Sequence, residues 1–330
     1  MENKNENNTS LIPIGSTGLV RVSNSIEITS KIIAEYTKRQ IESIKFKGLL
    51  NSENNVQGSV ISIATYQFEE FIASTNNSCS VFKYDIKRNL IWDKNNFNGN
   101  FDCVVFGFGF DVIASGRNIY ISNNGKITNT LEGHNREIHT LVLSRDKKFL
   151  FSVSGDKSIR VWDTNSWECI KVLEGHEWLV NSLVTDSNDR YLYSGGWDSY
   201  IIKWDLLTYK EVDKFYSGQI GGIKCIAISK NNQTIITGGG DQIVRLTDNK
   251  NYKILAELKG HTDFVSCLDI SEDNSLIASG GWDGSVNVWH LDAMVLVKNL
   301  KAHSGHINSI LFSGEYLLTG GSDGFIKSWK

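Results

Sequence analysis

GHEWLVNSLVTDSNDRYLYSGGWDSYIIKWD, residues 175–205, holds three apolar-rich runs separated by turn-forming residues. VNSLVT (180–185) alternates apolar with polar, as a strand does when one face is buried and the other is wet. A turn at 186–190 leads to YLYS (191–194), and GGWD (195–198) reverses the chain into YIIKWD (200–205). After a further turn at 207–209, residues 211–216 read as a fourth, more polar strand. Short strands set off by turn signals at intervals of about 8–12 residues indicate an all-β fold.

The stretch is one copy of a recurring unit. Gly-His or a near relative opens it at Gly133-His134, Gly175-His176, Gly218-Gln219, Gly260-His261 and Ala302-His303, in steps of 42, 43, 42 and 42 residues. Each opener is followed by an aspartate: Asp156, Asp198, Asp241, Asp283 and Asp323. Four residues before each aspartate stands a hydroxyl (Ser152, Ser194, Thr237, Ser279, Thr319), and six residues after it an aromatic or its substitute (Trp162, Trp204, Thr247, Trp289, Trp329). A period of this size means stacked copies of one supersecondary unit.

Upstream the pattern decays. Residues 59–85 keep Ser74 and end in Tyr84-Asp85; residues 101–123 keep two strands and Ser115 but shorten the turn and lose both Trp and Asp. That makes seven units, two of them degenerate. The last unit stops at Trp329-Lys330, one strand short. QIESIKFK (40–47) is a strand-like segment just ahead of the first unit. An unfilled sheet edge exposes a hydrogen-bonding ladder, so residues 40–47 are expected to complete the last sheet and close the ring. The chain then divides into an extension, 1–39, and a repeat body, 40–330. Residues 1–10 are polar and Asn-rich, and disorder is expected there. A strand near 19–22 and a helix over 26–39 are predicted next, Asn24 and Glu27 capping a helix with Ile28, Ile32 and Tyr36 on one face; the Ile and Val content also permits strands.

Composition excludes several classes. A net charge of −3 and a pI near 6.2 leave no basic footprint for nucleic acid or anionic lipid. No apolar run approaches the ~20 residues of a membrane helix, and MENKNENNTS lacks the apolar core of a secretory signal. Five cysteines without a CxxC pair, two of them (Cys225 and Cys267) in the same slot of successive units, read as buried filler in a reducing compartment. A cytoplasmic or nuclear location is expected.

Gly-His, then Ser/Thr-Gly-x-x-Asp, then Trp-Asp at this period resembles the WD40 family of β-propellers over roughly residues 40–330. The resemblance implies a seven-bladed propeller closed by an N-terminal strand. It also implies a buried hydrogen-bonded set in each regular blade: His134, Ser152, Asp156 and Trp162; His176, Ser194, Asp198 and Trp204; His261, Ser279, Asp283 and Trp289; His303, Thr319, Asp323 and Trp329. Gln219 and Thr247 depart from the pattern, and that blade is expected to be looser.

Repeated His/Asp/Ser sets also suggest a hydrolase triad, but five copies fit a structural role better than a single catalytic cleft. The histidines come one per unit, which disfavours a shared metal site, and no cofactor is expected. Gly107-Phe-Gly109 lacks the third glycine of a dinucleotide fingerprint, and no phosphate-binding GxxxxGK[ST] occurs. The family commonly binds extended peptides at the channel mouth. The slots implied to face it include Trp197 and Trp282 before the turn aspartates, Leu179, Phe264 and His306 before the first strands, His139 just inside one, and Trp178 in the loop after His176. These seven are the expected partner site of a non-catalytic protein-interaction scaffold for a protein or peptide. Two alternatives stay open: a dedicated subunit of a larger assembly (ligase adaptor, ribosome-biogenesis or trafficking complex) that uses its rim and N-terminal arm, and an enzyme.

Overall fold

The structure, a computed structural model, describes residues 10–14, 18–22, 49–55, 59–66, 70–75, 80–85, 90–94, 101–106 and 109–329. Every regular element among these is a β-strand. The chain forms two compact units, 1–46 and 47–330. In the smaller, Ser10–Ile14 pairs antiparallel with Gly18–Val22, matching Leu11 to Arg21 and Ile12 to Val20. The expected strand at 19–22 lies in the second of these. The expected helix over 26–39 and nearly all of the segment expected to be disordered, 1–10, lie outside the described residues; Ser10 is in a strand.

The larger unit is built of antiparallel four-stranded sheets. Six blades consist of four consecutive strands each, spanning 60–94, 101–131, 138–174, 180–216, 223–259 and 265–301; they are numbered 1 to 6 in that order. The remaining sheet is a composite of Ile307–Ser313, Tyr316–Gly321 and Phe325–Trp329, with Leu49–Asn55 as its outer strand. First strands of successive sheets pack side by side, and Ile307–Ser313 packs on Val60–Tyr66, which closes the ring.

The expected seven-bladed propeller closed by residues 40–47 therefore needs correction. Six blades, not seven, are made of consecutive strands, and the strand that completes the composite sheet is Leu49–Asn55. Residues 40–47 lie outside the described residues. The misreading has a physical cause. QIESIKFK alternates as an inward-facing strand does, whereas LLNSENN is polar. An outer strand needs only backbone groups for its single neighbour, and the outer strands of blades 3 to 6 are largely exposed: Cys169–Glu174, Lys210–Tyr216, Ile254–Lys259 and Val295–Lys301. Polar composition suits that position.

Apolar cores form between neighbouring blades. Phe151, Val153 and Val161 of blade 3 pack with Val180, Leu183 and Ile202 of blade 4. Val244 and Leu246 of blade 5 pack with Val265 and Ile277 of blade 6. Polar staples reinforce the ring. In every sheet the first strand skips a residue one place in, for example between Ile138 and Thr140 and between Ile223 and Cys225. Such a bulge leaves the skipped residue unpaired and re-aims its side chain. His139, Asn181, Lys224 and Asn308 are four of these, and they line a central cavity of about 380 Å³. Asn181 Nδ2 donates to Ile223 O at 3.0 Å, and Asn308 Nδ2 to Val60 O at 2.9 Å, each reaching the next sheet.

A second set of latches joins blades at the turns between first and second strands. Asp189, Asn232 and Asn274 all have positive φ (52°, 61° and 61°), a conformation that Asn and Asp tolerate better than most residues. Their side chains accept amides from the preceding blade: Arg145 N to Asp189 Oδ2 at 2.5 Å, Ser187 N to Asn232 Oδ1 at 2.8 Å, and Lys230 N to Asn274 Oδ1 at 2.7 Å.

Closure by Leu49–Asn55 is testable. Deleting these residues leaves Phe325–Trp329 as an open edge, the kind of edge that pairs with other chains. The deletion is expected to lower the melting temperature and produce dimers or larger species in size-exclusion chromatography with light scattering. An unchanged, monodisperse profile would remove the closure assignment.

Candidate functional site

The candidate site is the face formed by the turns between second and third strands together with the loops that precede the first strands. Four regular sets fix its geometry. In blade 3, His134 Nδ1 lies 2.8 Å from Asp156 Oδ2, His134 Nε2 lies 2.8 Å from Ser152 Oγ, and Trp162 Nε1 lies 2.9 Å from the same Oγ. One proton arrangement satisfies all four groups. The imidazole is neutral, its Nδ1–H donates to the carboxylate, its Nε2 accepts the serine hydroxyl, and that oxygen accepts the indole N–H. His176, Ser194, Asp198 and Trp204 repeat this in blade 4, and His261, Ser279, Asp283 and Trp289 in blade 6. His303, Thr319, Asp323 and Trp329 do so in the composite sheet.

The aspartates also hold the loops. Asp156 accepts Asn135 N at 2.9 Å, Asp198 accepts Glu177 N at 3.0 Å, Asp283 accepts Thr262 N at 2.8 Å and Asp323 accepts Ser304 N at 3.0 Å. Each loop is thereby drawn onto its turn, and a backbone bond pairs the two expected contact slots of each blade. Trp197 N donates to Leu179 O at 3.0 Å, Trp282 N to Phe264 O at 2.9 Å, and Ser322 N to His306 O at 2.8 Å.

Blade 5 departs in a way the sequence reading did not foresee. Arg245, two residues before Thr247, enters the place of the missing set. Its Nη1 donates to both Gln219 Oε1 and Asp241 Oδ2, and its Nε donates to Glu257 Oε1 at 2.9 Å. Gln219 Nε2 donates to Ile243 O at 3.1 Å, and Asp241 still holds Ile220 N at 3.0 Å. The charged fork thus replaces imidazole and indole together. Two buried hydroxyls, Thr237 Oγ1 and Thr247 Oγ1, are left without a hydrogen bond. The turn bond from Gly240 N to Gly222 O stretches to 3.5 Å.

The expected contact residues fall into two groups on this face. Phe264, Trp282 and His306 form one stack, with ring centroids 4.9 Å apart for the first pair and 4.8 Å for the second. Trp178 and Trp197 stand on blade 4, and Leu179 is half-buried between them and the strand. Trp178 is 61% exposed, Trp197 48% and Trp282 38%, far above the tetrad indoles, all of which are buried. His139 does not join either group. It lines the central cavity, where burial and the charge of Lys224 push its pKa down to about 4 despite Glu137.

Ile220, 71% exposed, and Tyr216 extend the apolar surface at the blade 4–5 boundary and were not singled out from sequence. Tyr216 meets Tyr200 edge-to-face at 5.8 Å. Tyr216 sits at the end of a strand that read as polar, and Ile220 sits in the slot after Gln219; an apolar residue in that slot was the available signal.

No group of three His, Cys, Asp or Glu among the described residues could hold a metal. None of the four described cysteines, Cys225 and Cys267 included, is in a disulfide. The family described as "WD domain, G-beta repeat" matches residues 125–163, 167–205, 210–248, 252–290 and 294–330. The chain belongs to the WD40-repeat family, whose propellers typically act as protein-interaction scaffolds and are generally non-catalytic. A 41-residue stretch is 49% identical to the zinc finger CCCH domain-containing protein 62 of Arabidopsis thaliana. That similarity covers 12% of this chain and 10% of that protein, so the chain matches only a small part of its relative.

The sets yield two predictions. Ser194→Ala strands both His176 Nε2 and Trp204 Nε1 and should cost about 1–3 kcal/mol for each stranded group. Thr237→Val, at the same slot of blade 5, removes a hydroxyl that bonds to nothing and should change stability by less than ~0.5 kcal/mol. Urea unfolding of the two variants checks this, and equal losses would contradict the network.

Stability should also depend on pH. Burial lowers the pKa of His261 and His303 below 6.5 although Asp283 and Asp323 oppose it. Burial pulls Asp156, Asp198, Asp283 and Asp323 upward, but their hydrogen bonds prevail and hold them below 3.8. In both cases the unfolded chain binds more protons, so stability rises with pH and is lost as pH falls. The melting temperature should drop as pH falls below 6.5, when unfolded histidines protonate, and drop again below about 4. A flat profile between pH 7 and pH 5 would contradict neutral buried histidines.

Proposed function

We propose that this protein is a non-catalytic interaction platform that binds a protein or peptide through the face bearing Trp178, Leu179, Trp197, Phe264, Trp282 and His306. The observation that carries the reading is the exposure of three indoles on turns anchored by buried hydrogen bonds. Exposed aromatic groups on a fixed backbone lose little entropy on binding, and such residues dominate interface energetics. His139, inside the channel mouth, contributes at the edge of this surface. That none of the four described cysteines is in a disulfide fits residence in the reducing cytoplasm or nucleus.

The rim supports a second reading, in which the chain is a dedicated subunit of a larger assembly. Ile170, Val172, Val212, Ile254, Leu255 and Leu296 are apolar residues exposed on the outer strands of blades 3 to 6.

One experiment separates the two. Trp197→Ala combined with Trp282→Ala should leave the melting temperature within a few degrees of wild type and remove the partners recovered by affinity purification from cells. A single hot-spot indole is worth about 2–4 kcal/mol of binding. Retention of every partner by the double variant would overturn the face as the principal site and favour the rim.

A further inference from the structure

Among the described strands of the ring, Leu49–Asn55 alone is not joined by a turn to the strand it pairs with. Every other outer strand follows its partner directly in sequence. Ser158–Asp163 leads into Cys169–Glu174, for example, and Tyr200–Asp205 into Lys210–Tyr216. A turn of this kind keeps a loosened strand beside its own edge. Leu49–Asn55 has no such tether to Phe325–Trp329; it is joined to the ring through residues 56–59, which lead into Val60–Tyr66.

The pairing is also less regular than its counterparts. The outer ladders of blades 3 to 6 each contain one shift of register, beside Trp162, Trp204, Thr247 and Trp289. The ladder between Leu49–Asn55 and Phe325–Trp329 contains two, between Leu49 and Asn51 and between Asn51 and Asn54. Its matched pairs are Leu49 with Trp329, Asn51 with Ser328, Asn54 with Ile326 and Asn55 with Phe325. Residues inside such shifts are left out of the ladder. The strand reads LLNSENN, and polar side chains gain little by leaving water, so its attachment rests on a short set of backbone bonds.

The edge beneath it is firmly held. Trp329 Nε1 donates to Thr319 Oγ1 at 3.1 Å, and Ile326 is buried with Val60 and Ile63. Phe325–Trp329 therefore stays in its sheet when the outer strand leaves, and it presents an open row of backbone groups. A second copy of the chain carries the strand that matches this row in length and register. Exchange of an identical element restores every native pairing, so only the connection changes its path.

We propose that Leu49–Asn55 exchanges between two copies of this chain. Each strand leaves its own Phe325–Trp329 and fills the same edge of the other copy, which gives a strand-swapped dimer. A strand on a short tether sees its own edge at an effective concentration on the order of millimolar. The closed monomer thus dominates in dilute solution, and the dimer accumulates as protein concentration rises. Each dimer carries two copies of the aromatic face, which gives avidity for a clustered partner.

The test uses full-length chains carrying Asn51→Cys, Ser328→Cys or both, at positions paired across the ladder. Directly opposed residues of an antiparallel pair lie within the span of a disulfide. With oxidised glutathione, the double variant should close on itself and run as a monomer on a non-reducing gel. The two single variants should be mixed at about millimolar concentration, incubated below the melting temperature, then diluted and oxidised. They should yield a covalent heterodimer whose fraction rises with the concentration used for incubation. Mixtures of either single variant with wild type, which control for the native cysteines, should not. No heterodimer from the mixture, while the double variant closes on itself, would overturn the exchange. A double variant that fails to close would overturn the pairing on which the exchange rests. Capture of a different protein through Ser328→Cys in cells, without a second copy, would also overturn it and assign the edge to a foreign strand.

Discussion

A single hydroxyl fixes each regular turn of this propeller. Ser152, Ser194, Ser279 and Thr319 each accept an indole N–H and donate to an imidazole, within 3.1 Å in every case. The imidazole then holds an aspartate that clamps the preceding loop. The hydroxyl is fully buried, and a buried polar chain with every member paired strongly favours one geometry, because any alternative strands a donor or acceptor. The position of the turns, and of everything displayed on them, follows from this link.

Blade 5 lacks this link. Without an imidazole or an indole, the buried polar space is filled by the Arg245 fork between Gln219, Asp241 and Glu257. That keeps Asp241 on its loop amide, but the turn bond lengthens and the slots above hold glycine. The irregular unit keeps its place in the ring, with Trp197 on one side and Phe264 on the other beside its glycines.

Much of this could be read from the sequence, because the tetrads obey fixed spacings and fixed chemistry. Strand positions in blade 4 match the predicted 180–185 and 200–205, since apolar alternation and turn residues agree there. The closing strand was misassigned for the opposite reason. Leu49–Asn55 pairs along one edge with only Phe325–Trp329, so its polar side chains give no periodic signal. Arg245 escaped notice because its slot varies, holding Arg160, Ile202, Asn287 and Lys327 elsewhere. The packing of Gly222 against Trp197 and of Gly240 against Phe264 escaped notice because glycine in a contact slot reads as an absence. The exposure of Trp197 and Trp282 was legible, since an indole between two glycines and a turn aspartate has little to bury it.

Indole hydrogen exchange measured by two-dimensional NMR tests the account most directly, since it reports buried and displayed tryptophans in one spectrum. The Nε1–H signals of Trp162, Trp204, Trp289 and Trp329 should persist long after transfer to heavy water, and those of Trp178, Trp197 and Trp282 should vanish within the dead time. Rapid exchange of the four tetrad indoles, or protection of Trp197 and Trp282 equal to theirs, would contradict it.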